Sequence, residues 1–167
     1  MTEKKSRFHV SDRVKAGLLR WWLAGMCYFL VGFGTQAGGM ESPVDLIFWL
    51  GVAIGLSDVF LYQPIAYSAF QLERKGENLN LRHWRRKGWR KAAHNLAVIG
   101  ECMLVILLVY LTYQNVNLLL IRLGNLPEET VVVAGEPFGF ATLYLIFHAA
   151  LVGILEKLRP PRKGDAP

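Results

Sequence analysis

The chain has 167 residues, room for one domain, with 53% hydrophobic and 19% charged residues and a net charge of +6. A basic balance invites nucleic acid as a partner, but here the cations are gathered into blocks between long uncharged stretches, which argues against it. The two cysteines, Cys27 and Cys102, lie in apolar segments without metal spacing, which excludes a disulfide scaffold and leaves small packing residues as the first reading and a redox pair as the second.

No charge falls between Trp21 and Ala37 or between Pro137 and Leu155; only Asp58 falls between Leu46 and Leu72, and only Glu101 between Asn95 and Ile121. About 20 helical residues cross a hydrocarbon core of about 30 Å, so each stretch reads as a span. The expected fold is an all-α integral membrane protein, four transmembrane helices in an antiparallel bundle within one membrane domain, 1–167. Approximate spans are 18–37, 44–70, 95–117 and 137–157, with a basic cytoplasmic loop over 71–94. Of the nineteen Lys and Arg residues, six precede Trp21, eight lie in the central loop, four follow Leu155, and Arg122 stands apart. Positive flanks stay inside, so both termini are expected to be cytoplasmic, in a plasma membrane of bacterial type.

In chain order, Ser11 is placed to cap a helix starting at Asp12, with Val10 and Val14 near staple spacing. Val14, Leu18 and Trp21 share an apolar face while Arg13, Lys15 and Arg20 stay polar, so this lead-in is expected to rest at the interface. Trp21 and Trp22 mark where the helix meets the bilayer. Thr35-Gln36-Ala37 resembles a cleavage site, but the long polar lead and the Gly38-Gly39 turn favour a retained span. Pro43 suits the first turn of the second helix. Gly51 and Gly55 form a G-x-x-x-G pair, a close-packing face with no partner named. Pro64 should kink that helix and free the carbonyl of Phe60, with Gln63 placed to satisfy it.

The central loop reads as a short interfacial helix over 80–93. Arg82, Arg85, Arg86, Lys87, Arg90 and Lys91 surround Trp84 and Trp89, a pattern for anionic headgroups or a protein partner rather than RNA. The third helix has no breaker until Gly124; Gln114, Asn115 and Asn117 are expected at the outer boundary, and Arg122 is placed to snorkel or pair with Glu128 or Glu129. The TVVV run is strand-like but short. Pro137 opens the fourth helix and Pro160-Pro161 ends it.

Asp58, Tyr62, Glu101 and His148 are polar side chains inside the spans. Counted from the inner ends, they lie at about 18, 12, 9 and 10 Å respectively. Such groups face a bundle interior or a water path. They form either a hydrogen-bonded cluster that fixes register or a proton or cation site. His94 and His148 differ in depth, so no haem or metal is expected, and no cofactor or enzyme motif is present. The leading function is an accessory or scaffold subunit working by helix packing and anionic-lipid contact, as a homo-oligomer or in a larger membrane complex. The alternatives are a small proton- or cation-linked transporter and a membrane enzyme acting on lipid headgroups. Four spans alone do not choose among them.

Overall fold

The computed structural model describes residues 11–40, 42–70, 88–130 and 136–158; the side chains of Tyr67 and Glu156 are also outside the description. Arg82, Trp84, Arg85, Arg86 and Lys87, most of the TVVV run and Pro160-Pro161 therefore lie outside the described residues. The described part is helical with connecting turns, and four of its helical stretches are long and apolar enough to cross a membrane: Asp12–Ala37, Pro43–Ala66, Trp89–Gly124 and Pro137–Leu155. That layout is one of a multi-pass membrane protein.

Helix α1 spans Asp12–Ala37, and Ser11 caps it by accepting from the Val14 N–H at 3.4 Å. It stops at Gly38-Gly39, where Gly39 takes φ +66°, a value open to glycine at little cost. Helix α2 spans Pro43–Ser57, with Pro43 in its first turn and the Ser42 hydroxyl accepting from the Val44 N–H. A five-residue π segment, Asp58–Tyr62, follows, and then α3, Gln63–Ser68. The break expected from Pro64 is absorbed just before the proline: the Gln63 N–H reaches back to the Asp58 carbonyl. The Gln63 side chain does not serve the freed backbone; it is taken up elsewhere, as described below.

Helix α4 runs without interruption over Trp89–Gly124, 36 residues, or about 54 Å. The interfacial helix expected over 80–93 is corrected at its described end, because Trp89, Arg90 and Lys91 form the first turn of α4 itself. Gly88, at φ +62° and ψ −145°, starts the helix in a conformation nearly reserved for glycine. Asn125 closes it in the left-handed region, with Leu126 N–H also returning to the Ile121 carbonyl. Helix α5 is Pro137–Leu158. Among the described residues no ion pair joins Arg122 to Glu128 or Glu129.

The elements pack through α2 on α4, α1 on α5 and α2, and α4 on α5. The main core joins Ala24, Cys27, Leu50, Ile54, Val105 and Tyr144 with their neighbours; a smaller one joins Ala16, Leu23, Tyr62 and Ala66. Large apolar side chains such as Val14, Leu18, Trp22, Phe33 and Phe48 point outward. This is the distribution for helices whose outer solvent is hydrocarbon, where burial of apolar surface does not drive association. Residues 12–20 belong to one continuous α1, and the Val14–Leu18 stripe is its outer face.

Gly51 and Gly55 find their partner inside the chain. A Cβ on Gly51 would fall 2.6 Å from Met103 Cγ, and one on Gly55 would fall 2.8 Å from Ile99 Cγ1 and 3.0 Å from Ile99 Cα. The pair is the seat of α4 on α2, not a patch left for lipid or another subunit.

Candidate functional site

Each membrane-length stretch contributes one ionisable side chain to a single buried network. From α1, Arg20 Nη2 donates to Asp58 Oδ1 at 2.6 Å, and its Nη1 lies 3.1 Å from His148 Nδ1. Asp58, at the start of the π segment, accepts from Gln63 Nε2 at its other oxygen, 3.1 Å away. His148 Nε2 on α5 faces Glu101 Oε1 on α4 at 3.5 Å, within ion-pair reach but long for a hydrogen bond. Beneath, the Arg20 guanidinium carbon sits 3.9 Å from the centre of the Tyr62 ring, a cation–π contact.

The chemistry of the donors fixes the histidine tautomer. Arginine has only N–H groups to offer, so His148 Nδ1 must accept, and the ring proton then sits on Nε2, facing Glu101. The side chains of Arg20, Asp58, His148 and Glu101 are 11, 6, 6 and 14% exposed. Gln63, at 1%, is fully enclosed. The cluster is therefore closed by packing, with the guanidinium charge answered by the Asp58 carboxylate.

Asp58, Tyr62, Glu101 and His148 are thus brought together, and Arg20 is the member that sequence reasoning missed. Its charge and its spacing from Arg13 read as a polar interfacial face. The signal was its own neighbours: Ala16 and Ala24, four residues either side, are buried with Leu23 and Cys27 on the same side of α1. Small residues bracketing a cation at that spacing describe a helix face that another helix approaches. The depth estimates shift as well. Counted from the observed helix ends at Asp12, Ser68, Trp89 and Leu158, Arg20, Asp58, Glu101 and His148 lie about 12, 15, 18 and 15 Å in, close to one level.

Above the network the core carries two further polar contacts. Tyr144 donates its hydroxyl proton to Cys102 Sγ at 3.3 Å, and Cys27 Sγ lies 3.2 Å from Ser57 Oγ. Both cysteines are free thiols, each engaged by a different neighbour, as packing residues would be. On α5, Phe140, Tyr144 and His148 recur every fourth residue and lie side by side, with Tyr28 stacked on Phe140 at 4.6 Å.

At the end of the molecule that carries the Gly38-Gly39 turn there is a cavity of about 360 Å³, walled by Tyr28, Tyr110 and Tyr113 and edged by Glu128 and Glu129. Its described lining does not include Arg20, Asp58, Glu101 or His148. Of the expected lipid-contacting residues, Trp89 and Arg90 are exposed at the start of α4 and Lys91 is half-buried. Among the described residues no group of three or more His, Cys, Asp or Glu is arranged to hold a metal ion.

No protein-family model matches the chain, and neither does any curated protein or solved structure.

Proposed function

We propose that this chain is a multi-pass protein of a bacterial plasma membrane, acting as an accessory or scaffold subunit. In this reading its four spans are antiparallel, with both termini and the basic segment cytoplasmic. Contact order supports that arrangement: Gly51 meets Met103 while Gly55 meets Ile99, and Arg20 meets His148 while Tyr28 meets Phe140. In each pair of helices one numbering rises as the other falls. The cation distribution supports the inside assignment. Anionic headgroups are the proposed contact of Trp89, Arg90, Lys91 and the basic segment before them. A second copy or another membrane subunit would lie against the outward apolar faces.

The observation that carries the scaffold reading is the closed network of Arg20, Asp58, His148 and Glu101, one residue from each span, at 14% exposure or less. Polar groups paired across helices in an apolar surrounding fix register and partner choice, because any slip strands them. A rigid, uniquely registered bundle is what a scaffold needs.

A second reading, proton- or cation-linked transport, draws on one arrangement only: His148 stands between Arg20 and Glu101 with its proton on the Glu101 side. The headgroup-enzyme reading needs a cavity lined by a base and cations, and it has no such support in the cavities described.

The Glu101 side chain separates the first two. Glu101→Gln keeps size and hydrogen bonding but cannot release a proton. On the scaffold reading it folds and behaves as wild type, whereas Glu101→Leu loses about 1–3 kcal/mol by leaving His148 short of an acceptor. Infrared spectra of the carboxyl C=O band from pH 5 to 9, wild type against Glu101→Gln, should show no titrating Glu101 band. A titrating band, with pH-driven flux in proteoliposomes that the Gln variant abolishes, would replace the scaffold reading with transport.

A further inference from the structure

The cavity of about 360 Å³ at the turn end of the molecule has a structural cause. A Cβ on Gly25 would meet the Pro137 carbonyl oxygen at 3.4 Å and Ala141 Cβ at 3.5 Å, so Gly25 stands against the first turn of α5. Helix α1 continues from there to Ala37, twelve more residues or about 18 Å. Among the described residues, no fourth helix accompanies α1, α2 and α4 beyond Pro137. A second cavity, of about 730 Å³, adjoins the first and shares Tyr28, Leu46 and Tyr110 with it.

The lining is graded. The floor is hydrocarbon and one ring: Leu50, Ile106, Val109 and Phe140. The wall is aromatic, with Tyr28, Tyr110 and Tyr113. Gly139 makes room there, since a Cβ on it would stand 2.9 Å from the Tyr113 hydroxyl. The rim carries Glu128 and Glu129 with the amides Gln114 and Asn117, and none of the described lining residues is basic. A volume of this order suits a small organic molecule. An anion at the rim would meet two carboxylates with no counter-charge. A cation would meet both carboxylates and a wall that carries three tyrosine rings.

We propose that this cavity binds an amphipathic organic cation, with its apolar body on the Leu50–Phe140 floor and its charged end at the tyrosines and the Glu128–Glu129 rim. The site goes beyond the scaffold reading and does not depend on it. Its chemistry is shared by a free quaternary or tertiary amine and by the choline end of a lipid.

Tetraphenylphosphonium and tetraphenylborate test the assignment, because they have nearly the same shape and opposite charge. The full chain in maltoside micelles, measured by calorimetry against empty micelles, should bind one phosphonium saturably and the borate at least about tenfold more weakly. The double variant Glu128→Gln/Glu129→Gln alters only the exposed rim and should lower phosphonium affinity about three- to tenfold, the effect of screened carboxylates. Tyr113→Leu keeps an apolar wall, removes one ring face and should weaken phosphonium binding while leaving borate binding unchanged. Repeating the titration in a phosphocholine detergent separates the sources: lost phosphonium affinity assigns the site to a lipid choline end, and unchanged affinity to a free cation. Equal affinity for the two ions, or full phosphonium affinity in the Gln double variant, would overturn the proposal.

Discussion

Removing Asp58 should be far more damaging than removing the whole ion pair. In Asp58→Leu, the Arg20 Nη2 that donates at 2.6 Å loses its acceptor, and so does the Gln63 Nε2 that donates at 3.1 Å. Stranding a buried guanidinium costs about 3–5 kcal/mol and stranding a buried amide about 1–3 kcal/mol. The two share one site and relax together, so the expected loss is about 4–6 kcal/mol. In Arg20→Met/Asp58→Leu no charge is left behind. Only the Gln63 amide and His148 Nδ1 are short of partners, for about 2–3 kcal/mol. The double variant should therefore be more stable than Asp58→Leu by about 2–3 kcal/mol, the difference between those two estimates. Denaturant titration in micelles, followed by far-ultraviolet circular dichroism, measures it. If Asp58→Leu unfolds at the same point as the double variant, or near wild type, the guanidinium has found water and the cluster is not closed.

At the α2–α4 seat, Gly55→Ala should cost about 1–3 kcal/mol, because Ile99 Cα is backbone and must move, while Gly51→Ala should cost less, since Met103 can turn its side chain aside. The same titration ranks them, and a larger loss at Gly51 would contradict that seat. For sidedness, a cysteine at Glu128 should react with an impermeant thiol reagent from outside intact cells and one at Gly76 should not; labelling at Gly76 would overturn the orientation.

Helix ends were legible because their signals are local and chemical. Ser11, Pro43 and Pro137 each do in the structure what their side chains dictate, and α4 closes at Asn125, one residue beyond Gly124. The polar cluster was legible in Asp58, Tyr62, Glu101 and His148 because a polar residue in an apolar run has few places to go. Arg20 was not, and the reason is the solvent. In water the apolar stripe Val14–Leu18 would mark the inside of α1; in hydrocarbon the same stripe is the outside, and the cation on the opposite face is the one buried. The partner of Gly51 and Gly55 was equally hidden, since a small-residue stripe says how near a helix can come but not which one. The start of α4 was misread because Trp89, Arg90 and Lys91 look interfacial in composition, and composition does not reveal that the helix is continuous.

The π segment has a bearing on how the cluster came to hold an amide. A π turn uses one more residue than an α turn, so α3 is wound one residue out of phase with α2. Positions five apart, such as Asp58 and Gln63, come to lie over each other, as their 3.1 Å contact requires. Tyr62 and Ala66 then turn inward beneath Arg20, while Phe60 and Leu61 take up the slack on the outside. Winding the same residues as an ordinary α-helix would instead rotate everything after the segment by about 100°. The carboxylate would keep its place and lose its amide. A single surplus residue thus acts as a phase shifter, setting which side chains the end of the second span can offer to the first.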